Sequence, residues 1–278
     1  MGSPCEVLVE CESEAWARGI ANAVAECAWR IEAKYSRYRG DGVVRTINSA
    51  NGRAVTVDDE TANLLDFSML VHELSGGMFD ITSGVLRRAW RFDGGRRAPT
   101  RAEVDALLPL VGWSKVRWER PRIRLLPGMQ IDFGGIGKEY AVDQATKIAA
   151  SLCDDAVLVN FGGDLAVTRA RDAQRPWLVG IEAADAAHGL AEKLIELRAG
   201  ALATSGDTYR FVESGGKRLP HILDPRDGRP VSDAPRSVTV AAPTCTQAGM
   251  LTTLAMLKGP GAEDFLAAER VRHWIQRD

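Results

Sequence analysis

The 278-residue chain is 45% hydrophobic, enough apolar material to bury a sizeable core in one large domain or two intimate ones. Its 35 basic and 37 acidic residues leave a net charge of −2 with no long run of either sign, which argues against nucleic acid or a membrane surface as partner. No apolar run approaches the roughly 20 residues needed to cross a bilayer, so small molecules and other proteins remain as partners.

Residues 5–11, CEVLVEC, alternate apolar and polar side chains as a half-buried strand does. No basic segment followed by an apolar one stands before them, which fits a cytoplasmic protein or one whose export signal has been trimmed to leave a periplasmic or membrane-anchored product. Residues 13–34 keep helical spacing through Ala17, Ile20, Ala21, Val24, Ala28 and Ile31, with Ser13 placed as the cap. Helices are also predicted over 59–74, stopped by Gly76-Gly77, and over 100–107, capped by Thr100, with a polar loop at 91–99 between them. Short runs at 116–118, 122–126, 156–159, 178–181, 194–197 and 238–241 read as strands. The pattern mixes α and β without an internal repeat. Cys5, Cys11, Cys27, Cys153 and Cys245 are odd in number and form no C-x-x-C pair, so they read as buried thiols and not as disulfide or zinc partners.

Two segments carry candidate chemistry. His221, one of four histidines, sits among carboxylates, hydroxyls and glycines in residues 201–231. It is the first candidate acid–base group, and the plain alternative is a hydrogen-bonding surface residue beside a turn. Residues 131–138, IDFGGIGK, place a carboxylate, a glycine-rich turn and a lysine at the start of a helix. Glycines let backbone approach a phosphate, helix N-terminal N–H groups face the anion, and Lys138 adds charge. The same glycines also serve as a tight connection, and neither Rossmann nor P-loop spacing is present. Asp132 is placed to accept from a heterocyclic N–H or a ribose hydroxyl. Residues 160–164, NFGGD, read as a hairpin turn, and Met78 and Phe79 read as core or as the lining of an aromatic ligand.

The ordered set of motifs resembles the FAD:protein FMN transferase family, also called ApbE-like proteins. The pieces are MGS at 1–3, YSRYR at 35–39, GMFDIT at 77–82, residues 131–143, VNFGGD at 159–164, ATSGD at 203–207, HILDP at 221–225 and residues 237–245. The resemblance implies an α+β fold, a single compact domain over 1–278 with a mixed sheet packed by helices and FAD in a cleft. It implies cleavage of the FAD pyrophosphate, transfer of FMN to a Ser or Thr hydroxyl of an acceptor protein, and release of AMP. By motif, Met1, Tyr38, Met78, Phe79, Asp80, Asp132, Lys138 and the His221-Ile222 pair would contact FAD, with His221 as general base on the acceptor hydroxyl.

The family also binds magnesium, and there this chain departs from it. The resemblance places an Asp four residues before a Thr on the helix after the P-T-C motif, a spacing that sets both oxygens on one face. The residues here are Gly249 and Thr253. A backbone carbonyl matching Gly135 is the third implied ligand. The carboxylate is gone, which implies a Mg²⁺ site that is weak, occupied only with FAD present, or abandoned. Lys138-Glu139 also stands where Lys-Gly or Glu-Gly is usual, and Ser3 where Thr is common. Two other outcomes stay open at this stage: a flavin-binding homologue without transfer activity, and a pyrophosphatase that hydrolyses FAD to FMN and AMP.

Overall fold

The computed structural model describes residues 3–92, 95, 97–183, 191–207, 211–215 and 217–277. Six strands form the central sheet in the order Cys5–Glu10, Ala156–Phe161, Asp164–Val167, Gly200–Gly206, Ser237–Ala242 and Arg272–Gln276. Every neighbouring pair is antiparallel, from Cys5 opposite Phe161 at one edge to Ser237 opposite Gln276 at the other. Ala156–Phe161 is apolar nearly throughout because both of its faces are covered. Val157, Val159 and Phe161 face the main core with Ile20, Val24, Ala28, Ala141, Ala145 and Ala248. The alternate residues Ala156 and Leu158 face Trp177, Ile181, Ile195 and Leu197. Those four belong to the hairpin Trp177–Glu182 and Ala191–Leu197, so helices cover one side of the sheet and a two-stranded ribbon the other.

The helices start where side chains satisfy their free N–H groups. Ser13 accepts from Trp16 N at the head of Glu14–Tyr35, and Asp58 accepts from Thr61 N at the head of Asp59–Leu74. Thr100 and Glu103 form a reciprocal capping box on Arg101–Asp105. Helix Cys245–Lys258 is held from outside as well as by its Thr244 cap. Asp143, on helix Gly137–Leu152, accepts from Cys245 N, Thr246 N and Thr246 Oγ1 at 2.7, 2.9 and 2.6 Å. That clamp fixes the two helices that carry the altered metal motif.

The α+β class is as expected, while the pairing within the sheet is antiparallel throughout where a mixed sheet was expected. Strands Asp164–Val167 and Gly200–Gly206 carry no clear signature in sequence, since GALATSG has Thr204 as its one β-branched residue and no aromatic one. The hairpin turn at 160–164 is present. Gly162 and Gly163 form it with φ of 64° and 92°, and a Cβ at 162 would lie 2.4 Å from Ser3 Oγ. The cysteines are a partial correction: Cys27 and Cys245 are buried, whereas Cys5 is exposed and Cys11 and Cys153 are intermediate. Cys5 and Cys11 lie on or just past an edge strand, and Cys153, at the end of helix Gly137–Leu152, packs only partly against the main core. Among the described residues no helix is long and apolar enough to cross a membrane.

Candidate active site

The glycine turn and the Met78–Thr82 segment are locked together. Ile81 O accepts from Asp132 N at 2.8 Å. Asp132 Oδ1 accepts from Gly134 N, and its Oδ2 accepts from Arg37 Nη1 at 2.9 Å. Arg37 also donates to Gly84 O and Gln130 Oε1, so YSRYR supplies the pin that holds the Asp132 carboxylate in place. Nothing in the motif itself singles out Arg37, because its partners lie far away in the chain. Phe79 is buried with its ring edge against Gly135, where a Cβ would stand 3.1 Å from Cε2. Met78 is partly buried on the main core.

Asp80 is engaged by the protein on its own side of this turn. It is 6% exposed and caps the 3₁₀ helix Ile81–Arg88 through Thr82 N and Thr82 Oγ1, and it also accepts from Trp113 N at 2.8 Å. Its oxygens face inward and organise the loop behind Phe79. Tyr38 is 86% exposed, with the Arg37 guanidinium 5.9 Å from its ring centre, which leaves an aromatic face open to a ligand. Met1 lies outside the described residues.

The 3₁₀ helix connects this region to His221. At its far end Trp90 stacks on Phe92 at 5.4 Å, and Phe92 meets the His221 imidazole edge-on at 6.3 Å. Trp90 Nε1 donates to Gly228 O at 2.8 Å, tying the loop after His221 to the same layer. Leu219 and Leu223, on either side of His221, pack on Val85, Leu86 and Trp90. Ile222 packs toward the main core and toward the cluster of Val238, Val240 and Leu266. The half-buried imidazole thus sits on an aromatic floor carried by the element that Asp80 caps. Asp207 of ATSGD is buried and paired with Arg236 at 2.9 Å, while Arg218 donates to its carbonyl.

Lys138 begins a third, buried group of charges. Its ammonium lies 2.6 Å from Asp164 Oδ2, and Asp164 Oδ1 accepts from Thr204 N. Burial pushes Lys138 down, but the Asp164 and Glu139 charges outweigh it and hold the ammonium above its ordinary value. A lysine read as a phosphate ligand is therefore already partnered, and it brings the NFGGD turn to the glycine turn. Glu139 is 8% exposed, and its Oε2 accepts no hydrogen bond from the protein. Burial, with the Asp164 charge beside it, pushes the Glu139 carboxyl up, while Lys138 opposes. The Cys245 thiol is likewise pushed well up by burial and by the Asp164, Glu139 and Asp143 carboxylates.

Gly135 lies two residues before helix Gly137–Leu152, and Thr253 lies on helix Cys245–Lys258 on the face that also carries Gly249. The open grooves beside the Trp177–Glu182 hairpin, one lined by Leu194 and Arg198 and the other by Leu8 and Arg171, contain none of these residues.

Comparison with known proteins gives the family and the fold. The ApbE family matches residues 1–274. The FAD:protein FMN transferase of Salmonella typhimurium is 28% identical over 245 residues, covering 84% of this chain and 70% of that protein. One from Klebsiella pneumoniae is 29% identical over 280 residues, covering 99% of this chain and 85% of that one. The crystal structure of the ApbE protein of Thermotoga maritima superposes with a TM-score of 0.89 at 32% identity, covering 99% of this chain and 91% of that one. The Pseudomonas stutzeri flavinyl transferase ApbE shares the fold, with a TM-score of 0.82 at 24% identity over 99% of this chain and 92% of that one.

Proposed function

Because the chain belongs to the ApbE family, we propose that it is an FAD:protein FMN transferase whose residues 1–278 act as one domain. The observation that carries the reading is the family match along nearly the whole chain, with FAD:protein FMN transferases among the relatives. The acceptor is a protein that offers a Ser or Thr hydroxyl. Its oxygen attacks the phosphorus of the FMN half of FAD, a new P–O bond forms, the bond to the bridging oxygen breaks, and AMP leaves with that oxygen.

His221 takes the hydroxyl proton as the bond forms, and the Phe92 contact fixes the plane of its ring. Tyr38 offers a face to the isoalloxazine or adenine ring, and Met78 and Ile222 offer apolar walls. Asp132, held by Arg37, accepts from a ligand N–H or hydroxyl with the lone pairs its two hydrogen bonds leave. Phe79 and Asp80 act one layer back, by shaping the Gly135 turn and the loop that follows. Lys138 adds positive charge near the pyrophosphate while anchored to Asp164. A Mg²⁺ ion held at the Gly135 carbonyl and the Thr253 hydroxyl would offset the pyrophosphate charge.

The test incubates pure protein with FAD, Mg²⁺ and a flavinylation domain, following acceptor mass and AMP together. A gain of one FMN with matching AMP is expected. His221→Ala should lower the transfer rate by about 10²–10⁴-fold with FAD affinity little changed. AMP without a mass gain on a validated acceptor would instead identify a pyrophosphatase, and saturable FAD binding with neither product a flavin-binding homologue.

A further inference from the structure

Helices Gly137–Leu152 and Cys245–Lys258 meet where Glu139 faces Gly249. A Cβ at position 249 would stand 2.4 Å from Glu139 Cγ, 3.0 Å from its Cδ and 3.1 Å from its Oε1. The side chain absent at 249 is therefore the room that the Glu139 side chain takes up. The two departures from the family pattern, Glu139 for a glycine and Gly249 for an aspartate, are one event in space. A carboxyl group still stands between the helices, delivered from the opposite side.

One oxygen of that carboxyl group lacks a donor. Glu139 is 8% exposed and its Oε2 receives no protein hydrogen bond, although Asp164 lies beside it with Lys138 2.6 Å from the Asp164 carboxylate. Two carboxylates share one ammonium, and a buried carboxylate oxygen without a donor calls for a proton or a cation. Thr253 lies one helical turn beyond Gly249 on the same face, and Gly135 lies in the turn two residues before the helix that carries Glu139.

We propose that Glu139 supplies the carboxylate ligand of a divalent-cation site in this chain, in place of the one missing at position 249. The proposal rests on the transferase reading, because bound FAD provides the remaining oxygens. Among the described residues no group of three or more His, Cys, Asp or Glu is placed to hold a metal unaided. Mg²⁺ keeps one or two carboxylates together with waters and substrate phosphates. The ion and FAD therefore bind together, each raising the affinity of the other.

FAD affinity, read from flavin fluorescence with and without Mg²⁺, tests this in wild type, Glu139→Gln and the exchange variant Glu139→Gly/Gly249→Asp. Mg²⁺ should tighten FAD binding by about tenfold or more in wild type and less than about twofold in Glu139→Gln. The exchange variant should recover the gain, with each protein compared against its own FAD affinity without Mg²⁺. Electron paramagnetic resonance of Mn²⁺ in the presence of FAD counts the ion directly, with loss expected in Glu139→Gln. A Mg²⁺ gain that survives in Glu139→Gln, or is absent from wild type, overturns the proposal; the second result leaves a proton as the occupant. Wild type that binds no FAD at all removes the transferase reading itself. Transfer to the acceptor with the Mg²⁺ gain intact in Glu139→Gln removes only the role of Glu139.

Discussion

Gly249 is a residue whose reason lies on another helix. Read along the chain, a glycine in the middle of a helix costs roughly 0.5–1 kcal/mol relative to alanine and offers nothing in return. In the fold its missing side chain makes room for Glu139. Gly249→Ala should then destabilise by about 1–3 kcal/mol through overpacking, although alanine is the better helix former. In a Glu139→Gly background the same change should be neutral or stabilising, and urea midpoints of the four proteins measure the coupling. Gly249→Asp alone should be worse still, since it drives a second carboxylate into the same space. Single residues stand out in the sequence where their type is rare or their motif is shared, as His221, Asp132 and Lys138 do. The partners that decide what they do are not legible there: Arg37 behind Asp132, Asp164 on Lys138, and Phe92 under His221 come together only through the fold.

Elements announce themselves through caps and periodicity, and here they do so unevenly. Helix Asp59–Leu74 lies at the residues predicted, and Glu14–Tyr35 within one residue, because Asp58 and Ser13 mark their starts. The predicted helix at 100–107 is shorter, Arg101–Asp105, and passes into the 3₁₀ turn Leu108–Leu110 with Pro109 in it. Small-residue strands such as Gly200–Gly206 leave no pattern to read, since their stability comes from neighbours on both sides and not from their own side chains. The cap that Asp143 places on helix Cys245–Lys258 is equally hidden, as capper and helix are distant in sequence. Asp143→Ala should cost about 1–2 kcal/mol by chemical denaturation, with Thr244 retaining part of the cap. Hydrogen exchange should show the loss first at Cys245 and Thr246.

For the molecule as a whole, the antiparallel order of the sheet cannot be read from strand lengths or spacing, since strands distant in the chain pair as readily as adjacent ones. What holds the helical layer together does have a pH signature. Glu60 accepts from both Arg30 nitrogens, from Lys34 and from Tyr140, so one carboxylate joins three helices. Arg30 leads in pulling the carboxyl down to about 2 from an ordinary 4.5, against the opposing effect of burial. The stabilisation is complete above pH 4.5 and is lost as pH falls through the folded value near 2. Glu60→Gln should cost on the order of 1–3 kcal/mol at pH 7, with the gap to wild type closing between pH 4.5 and 2 in urea titrations. The clamped pair of helices has a consequence for descent as well. A lineage moving between the family's glycine-and-aspartate pattern and the Glu139 and Gly249 of this chain passes through one of two intermediates. One crowds two carboxylates into a single space; the other leaves a void and no carboxylate. The first strains the contact between the helices, and the second would, on the proposed role of Glu139, give up the carboxylate meant for the ion, so the two positions are expected to change together.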